Sequence, residues 1–445
     1  MRKRFMFLMT VLVILSIVLT ACGGASTQGT GTSGGQAADE EVTLRVLVHQ
    51  NPPMVAFMEA FNKTFQEKHP NIIVDMSVVN AGDLATVTQT RLTANDVDVV
   101  DIFGFANAAQ PYMSRADAPN WQQLIDAGLL MDLTDQPFVD NYDDAANEDA
   151  GTYNGKVYAI NLGRITYSGI FYNKDLFAAN NVEVPTTWPE LVAACETFNA
   201  ADIPCMTAGG KDGWPIFVGA YGLIGAMYPD QAGLVEGLWT GTIKWNDAKS
   251  LEMWEKMQVY ARDMMEPGAV GIANDGAPGR FASGEVAMLP GGSWMASAID
   301  TSEPDFEWGY IPFPGSDNAE DNEYLFGKYD QGWAIAEKSP NKDAAITYLT
   351  EFSTPENYDA FANAVGFIPT QPTAQLTTTI GEEVAPYLEN FRVGYEQYWV
   401  APKGAGEFAN PWATYFEPFG TYDDPQALAD KVQSDLQAGL DAVQQ

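Results

Sequence analysis

Histidine, cysteine and basic side chains are scarce in this 445-residue chain, and each scarcity closes a class of function. The two histidines, His49 and His69, cannot make a zinc site built mainly from imidazole, and the three cysteines form no cluster to replace one. Neither a metal nor a cofactor is expected. No Gly-x-Ser-x-Gly elbow occurs, and no glycine-rich loop ends in the Gly-Lys-Ser/Thr of a phosphate site. Lys and Arg number 23 against 59 Asp and Glu, for a formal net charge of −36. Nucleic acid is excluded as a partner, because phosphate binding draws on Lys and Arg. An anionic lipid surface repels such a body too. Solubility accounts for most of the acidity. Carboxylates are too plentiful for counting to exclude a glycosidase pair, but nothing singles one out.

The one local concentration of positive charge stands at the start. Arg2, Lys3 and Arg4 precede an apolar run over residues 5–21, and Leu19-Thr20-Ala21-Cys22 ends it. This is the charged, apolar, small-residue order of a secretory signal. The run falls just short of the roughly 18 residues of a spanning helix. Leu-Thr-Ala-Cys resembles the bacterial lipobox, in which the cysteine becomes the lipidated N-terminus. Residues 23–38 are Gly, Ser, Thr, Gln and Ala, the composition of a flexible tether. The expectation is a signal peptide over 1–21, a lipidated Cys22 with its tether over 22–41, and a folded body outside the cytoplasmic membrane. The alternative is an uncleaved N-terminal anchor. Cys195 and Cys205, ten residues apart in an oxidising compartment, are either a disulfide or two buried thiols.

Strand and helix then alternate. Residues 42–48, 72–79 and 97–103 read as strands; 54–68, with Val55, Phe57, Met58, Phe61 and Phe65 on one stripe, and 84–92 read as helices. This predicts a parallel, doubly wound α/β lobe. A second series begins near Ile170. Thr187-Trp188-Pro189-Glu190 has capping-box spacing and opens a helix over 190–199. Strands are expected at 205–208, 285–289 and 333–336, and a helix at 342–352. Without a Gly/Ser linker between the halves, several chain crossings should hold two α/β lobes in one unit.

Five loops place aromatic residues among glycines or polar groups: Phe103-Gly104-Phe105-Ala106-Asn107, Gly213-Trp214, Gly291-Gly292-Ser293-Trp294, Gln331-Gly332-Trp333, and Asn410-Pro411-Trp412-Ala413-Thr414-Tyr415. Sugar rings have apolar C–H faces and hydroxyl rims, which suit aromatic platforms flanked by Asp, Asn, Gln and Arg. Any single tryptophan is as readily a core residue.

Several stretches carry a family likeness. Asp98-Val99-Val100-Asp101 is similar to a "Pro-Asp-Val-Val" strand ending at a ligand cleft, and Tyr153-Asn154-Gly155-Lys156-Val157-Tyr158-Ala159-Ile160 to "Gly-Lys-x-Tyr-x-x-Pro". Tyr172-Asn173-Lys174-Asp175-Leu176-Phe177, Pro185-Thr186-Thr187-Trp188-Pro189-Glu190-Leu191, and Phe281-Ala282-Ser283-Gly284-Glu285-Val286-Ala287-Met288 followed by Gly292-Ser293-Trp294 complete the series. In this order, from about Val42 to near the C-terminus, the chain resembles the bacterial extracellular solute-binding proteins of ABC transporters, in the carbohydrate group (family 1) that includes maltose-binding protein. It departs from the family at Ala159, where proline is usual, and in a long stretch over 107–126 that suggests a loop at the cleft rim.

The resemblance implies a two-lobed periplasmic-binding-protein fold, type II-like, with ligand held between lobes joined by hinge crossings. Aligned motifs put lobe one at 42–163 plus 314–365 and lobe two at 164–313 plus 366–445. It implies a monomer that binds a mono- or oligosaccharide and delivers it to ABC permease subunits without catalysis. The implied ligand contacts are His49 and Gln50 at the end of the first strand, and Phe103, Phe105 and Asn107 after the third. Arg164 and Tyr167 follow at the first crossing and Asp330 and Gln331 at a late one, with Trp214, Tyr221, Trp294 and Trp412 as stacking aromatics. Arg164 reads equally as an interlobe ion-pair partner, and Asp101 as a strand end. Two other readings stay open: the same fold with a polyamine, glycerol phosphate or peptide ligand, or a secreted glycoside-acting enzyme.

Overall fold

The computed structural model describes residues 41–444; the signal, Cys22 and nearly all of the tether lie outside the described residues. Two sheets, each with its own apolar core, make up the two lobes. The first sheet has five strands in the order Ile72–Val79, Val42–His49, Val99–Phe103, Gln331–Ile335 and Ile160–Asn161. Leu44, Val46 and Val48 on one face and Leu47 on the other are buried in separate apolar clusters, so both faces are covered, as expected of parallel strands. One covering helix is Pro52–Lys68. Asn51 caps it by accepting from the Met54 N–H at 3.4 Å, prolines fill its first turn, and Met54, Met58, Phe61 and Phe65 form its buried stripe.

This sheet is parallel only in part. Val42–His49 runs parallel to both neighbours, but Gln331–Ile335 enters antiparallel to Val99–Phe103 and to Ile160–Asn161. The doubly wound expectation is corrected here, because a strand arriving from the other lobe needs no helical crossover and can pair in the reverse sense.

The second lobe holds an antiparallel sheet in the order Trp308–Pro312, Gly169–Asn173 and Met288–Gly291. The capping box opens the helix Trp188–Ala200 as the spacing predicts. The strand expected at 205–208 reduces to bridges from Met206 to Met265 and Met288. The residues expected at 285–289 and 333–336 lie in strands shifted to Met288–Gly291 and Gln331–Ile335. Cys195 and Cys205 are joined as a disulfide with Cα atoms 5.0 Å apart. It pins the helix Trp188–Ala200 to the segment that follows it.

Between the two sheets, Arg392–Val393, Phe326–Tyr329 and Arg164–Thr166 form a third, narrow sheet. The chain crosses between lobes beside it. Leu162 N–H donates to Gln331 O at 2.7 Å, and Arg164 and Ile368 exchange backbone hydrogen bonds of 2.8 Å. Gly163 (φ 148°) and Gly366 (φ 72°) stand at crossings in backbone conformations that side chains disfavour.

Candidate interlobe binding cleft

Register dictates which side chains meet at the mouth of the first sheet. His49 ends the first strand, Phe103 ends the third, and Gln331 pairs directly with Phe103 where the late strand begins. All three therefore stand at the carboxyl edge of the parallel strands, where open α/β sheets bind ligands. There a cavity of about 350 Å³ opens between the lobes. His49, Gln50, Phe103, Asp330 and Gln331 line one side; Tyr167, Trp214, Phe217, Asn274, Asp275 and Trp294 line the other.

The two tryptophans pack side by side as a tilted pair, with ring centroids 6.2 Å and planes 39° apart. Trp214 starts the helix Trp214–Met227, behind Gly213 at φ 75°. This segment, expected as a loop, is helical because its apolar residues pack on every side. Trp294 follows the strand Met288–Gly291, and its indole folds back onto Gly292, where a Cβ would collide with the ring. It packs against the cores of both lobes, so its position depends on how they sit together.

Polar groups complete the wall. His49 Nδ1 is 2.9 Å from Asp101 Oδ2, and Gln331 Nε2 is 2.9 Å from the other ring nitrogen, Nε2. Burial disfavours the imidazolium, but the Asp101 carboxylate outweighs burial and holds His49 above its usual 6.5. Asp101 thus orients a cleft residue from underneath. Tyr167 Oη and Gln331 Oε1 are buried with no hydrogen-bond partner among the described residues. Lys328 Nζ lies 3.2 Å from Asp330 and 3.1 Å from Glu396, above the Phe103 ring. Burial opposes its charge, the two carboxylates prevail, and the ammonium titrates above the ordinary lysine range.

Eight of the thirteen sequence-derived contacts line this cavity: His49, Gln50, Phe103, Tyr167, Trp214, Trp294, Asp330 and Gln331. The structure places the other five elsewhere. Phe105 stacks on Trp121 at 4.4 Å and is core. Asn107 lines a neighbouring hollow. Tyr221 is buried behind the wall, against Tyr167 and Phe217. Trp412 stacks on the outer face of the wall residue Phe217 at 4.9 Å. Arg164 lies over Phe391 at 5.2 Å and makes no ion pair among the described residues. Trp333, in the fourth aromatic loop, is wholly buried. Sequence reasoning missed Lys328, Glu396, Asn274 and Asp275. Lys328 stands two residues before Asp330, but nothing adjacent in the chain marks Glu396, Asn274 or Asp275, which join the cleft only when the crossings assemble.

The model of the bacterial extracellular solute-binding protein family matches residues 50–359. The multiple sugar-binding protein of Streptococcus mutans is 26% identical over 363 residues, 79% of each chain. An uncharacterised ABC transporter extracellular-binding protein of Pyrococcus horikoshii is 26% identical over 330 residues, 70% of each. Among solved structures, RafE bound to raffinose superposes with a TM-score of 0.71 at 22% identity, covering 91% of this chain and 100% of that one. A chitin oligosaccharide binding protein gives 0.70, also at 22% identity and with the same coverage. Two lobes joined by crossings, a cleft at the strand ends and a family match over more than half of its length together make this chain a member of the bacterial extracellular solute-binding protein family.

Proposed function

We propose that this chain is the extracytoplasmic binding protein of an ABC importer, capturing a mono- or oligosaccharide between its lobes and delivering it to permease subunits without chemical change. The tilted pair Trp214 and Trp294 on the cleft wall, beside the unpartnered Tyr167 Oη and Gln331 Oε1, carries this reading. Indoles suit the C–H faces of a sugar ring, and the orphaned polar atoms suit its hydroxyls. The relatives support it: one is named a multiple sugar-binding protein, and solved neighbours hold raffinose and stachyose. Glycerol phosphate fits poorly, because Lys328, the cleft's one Lys or Arg among the described residues, is already paired. Ligand contacts from both lobes exist only when the lobes are closed, so binding shifts the population toward closure.

The proposed organisation starts from the sequence-derived limits, lobe one over 42–163 plus 314–365 and lobe two over 164–313 plus 366–445, with the second lobe carried past 313, where Ser316 O accepts from the Trp188 N–H and Gly315 O from Lys256 Nζ. The body acts as a monomer, held by lipid on Cys22 beside its permease, where tethering raises the effective concentration. A thermal-shift panel tests the ligand class: a saccharide should raise Tm. Stabilisation by a polyamine or a peptide, with none by any sugar, would overturn the assignment. Cys22→Ser should release the protein from membranes with ligand binding intact; continued membrane association would instead identify the N-terminal segment as the anchor.

A further inference from the structure

A second hollow, of about 260 Å³, adjoins the cleft. Phe103, Lys328, Asp330 and Glu396 line both, so they form the partition. Its other walls are the helix Leu84–Ala94, through Leu84, Ala85 and Thr88, and the 104–121 segment, through Asn107, Asn120 and Trp121. The long stretch noted in the sequence thus roofs a compartment next to the cleft.

Thr88 is the informative residue. In the same helix, Thr90 and Thr93 donate their hydroxyls to the carbonyls four residues back, at 2.8 and 2.7 Å. Thr88 lines the hollow, is 1% exposed, and its Oγ1 has no partner among the described residues. A buried hydroxyl left unpaired is costly unless something else meets it. Nearby stand the amide of Asn120 and the ring of Phe103, a polar group and an aromatic face such as a sugar ring uses. Charge narrows the class. Lys328 is the one Lys or Arg lining either hollow among the described residues, and it is paired twice, while Asp275 adds a further carboxylate. An acidic saccharide would meet uncompensated negative charge.

We propose that this hollow is a second compartment of the same cleft, which takes the end ring of a longer neutral oligosaccharide whose other rings lie against the Trp214 and Trp294 wall. This rests on the saccharide reading above. The test is calorimetric titration of the full chain with galactose, raffinose and stachyose, and with chitin oligosaccharides from monomer to tetramer. Ala85→Trp fills the hollow from its half-exposed rim, and Thr88→Val removes the hydroxyl while keeping its shape. Both variants should bind the shortest ligand within about twofold of wild type, and the longest about tenfold more weakly for Ala85→Trp and severalfold more weakly for Thr88→Val. Equal losses at every length, or no loss at any, would overturn the compartment while leaving the saccharide reading intact. Galacturonate trimer bound as tightly as the neutral trimer would overturn the neutral class. If wild type binds none of these sugars, the saccharide reading fails and the compartment fails with it.

Discussion

Lys328 Nζ lies 3.1 Å from Glu396 Oε1, and this contact ties the crossing strand Phe326–Tyr329 to the short helix Tyr395–Tyr398. Asp330 takes the same ammonium at 3.2 Å. One cation therefore neutralises two carboxylates brought in by separate segments. Removing it leaves both facing each other in a partly desolvated wall. Lys328→Met should lower unfolding stability by roughly 1–3 kcal/mol, below the cost of a fully buried pair because Glu396 keeps some exposure. Urea unfolding of the variant measures this, and an unchanged midpoint would show that the trio adds nothing to stability.

The paired tryptophans of the cleft wall make a direct prediction for affinity. Truncating an aromatic anchor in a buried contact costs about 2–3 kcal/mol, or roughly 30- to 150-fold in Kd. Trp214→Ala and Trp294→Ala should each weaken saccharide binding by that order, read by calorimetry. Trp412→Ala, which removes only the ring behind Phe217, should cost less. Equal losses in all three would mean that the cleft surface is wrongly drawn.

Asp98 links pH to stability. It is fully buried and accepts from Arg45 Nη2 at 2.9 Å, Arg45 N–H at 2.8 Å and Ser339 Oγ at 2.7 Å. Burial favours the neutral acid, but Arg45 and its neighbours outweigh burial and hold Asp98 below 3.8. A depressed folded value means that the stabilisation is fully present above the unfolded value and is lost as pH falls through the folded one. Chemical denaturation between pH 5 and about pH 2 should show this loss, and Asp98→Asn should reduce the slope. An identical slope in the variant would place the acid sensitivity elsewhere.

The disulfide closes a loop of ten residues. Constraint of the unfolded chain over that span is worth roughly 2–3 kcal/mol. A Cys195→Ser, Cys205→Ser double variant should lose about that much, with sugar affinity little changed because neither cysteine lines the cleft. Thiol titration of the unfolded protein without reductant gives the direct check: two reactive thiols would contradict the bond.

Much of this was legible in the residues themselves. The stripe Met58, Phe61 and Phe65, the capping box at Thr187 and Glu190, and the strands at 42–48 and 72–79 are local patterns, and local patterns set local structure. Trp294 could be picked out because a glycine-rich strand end leads into it. Sequence by itself also determined the missing chemistry and the acidity, which need no coordinates. Tertiary structure decided the rest. The reversed strand Gln331–Ile335 arrives from the other lobe, and no periodicity encodes the direction of a strand. Phe103 and Phe105 sit two residues apart, a spacing that would put both on one face of a strand, yet one lines the cleft and the other stacks on Trp121, because the strand ends at Phe103 and the chain turns at Gly104. Lys328 and Asp330 are near neighbours in the chain, but Glu396, 68 residues beyond Lys328, joins them only through a chain crossing, in the folded body.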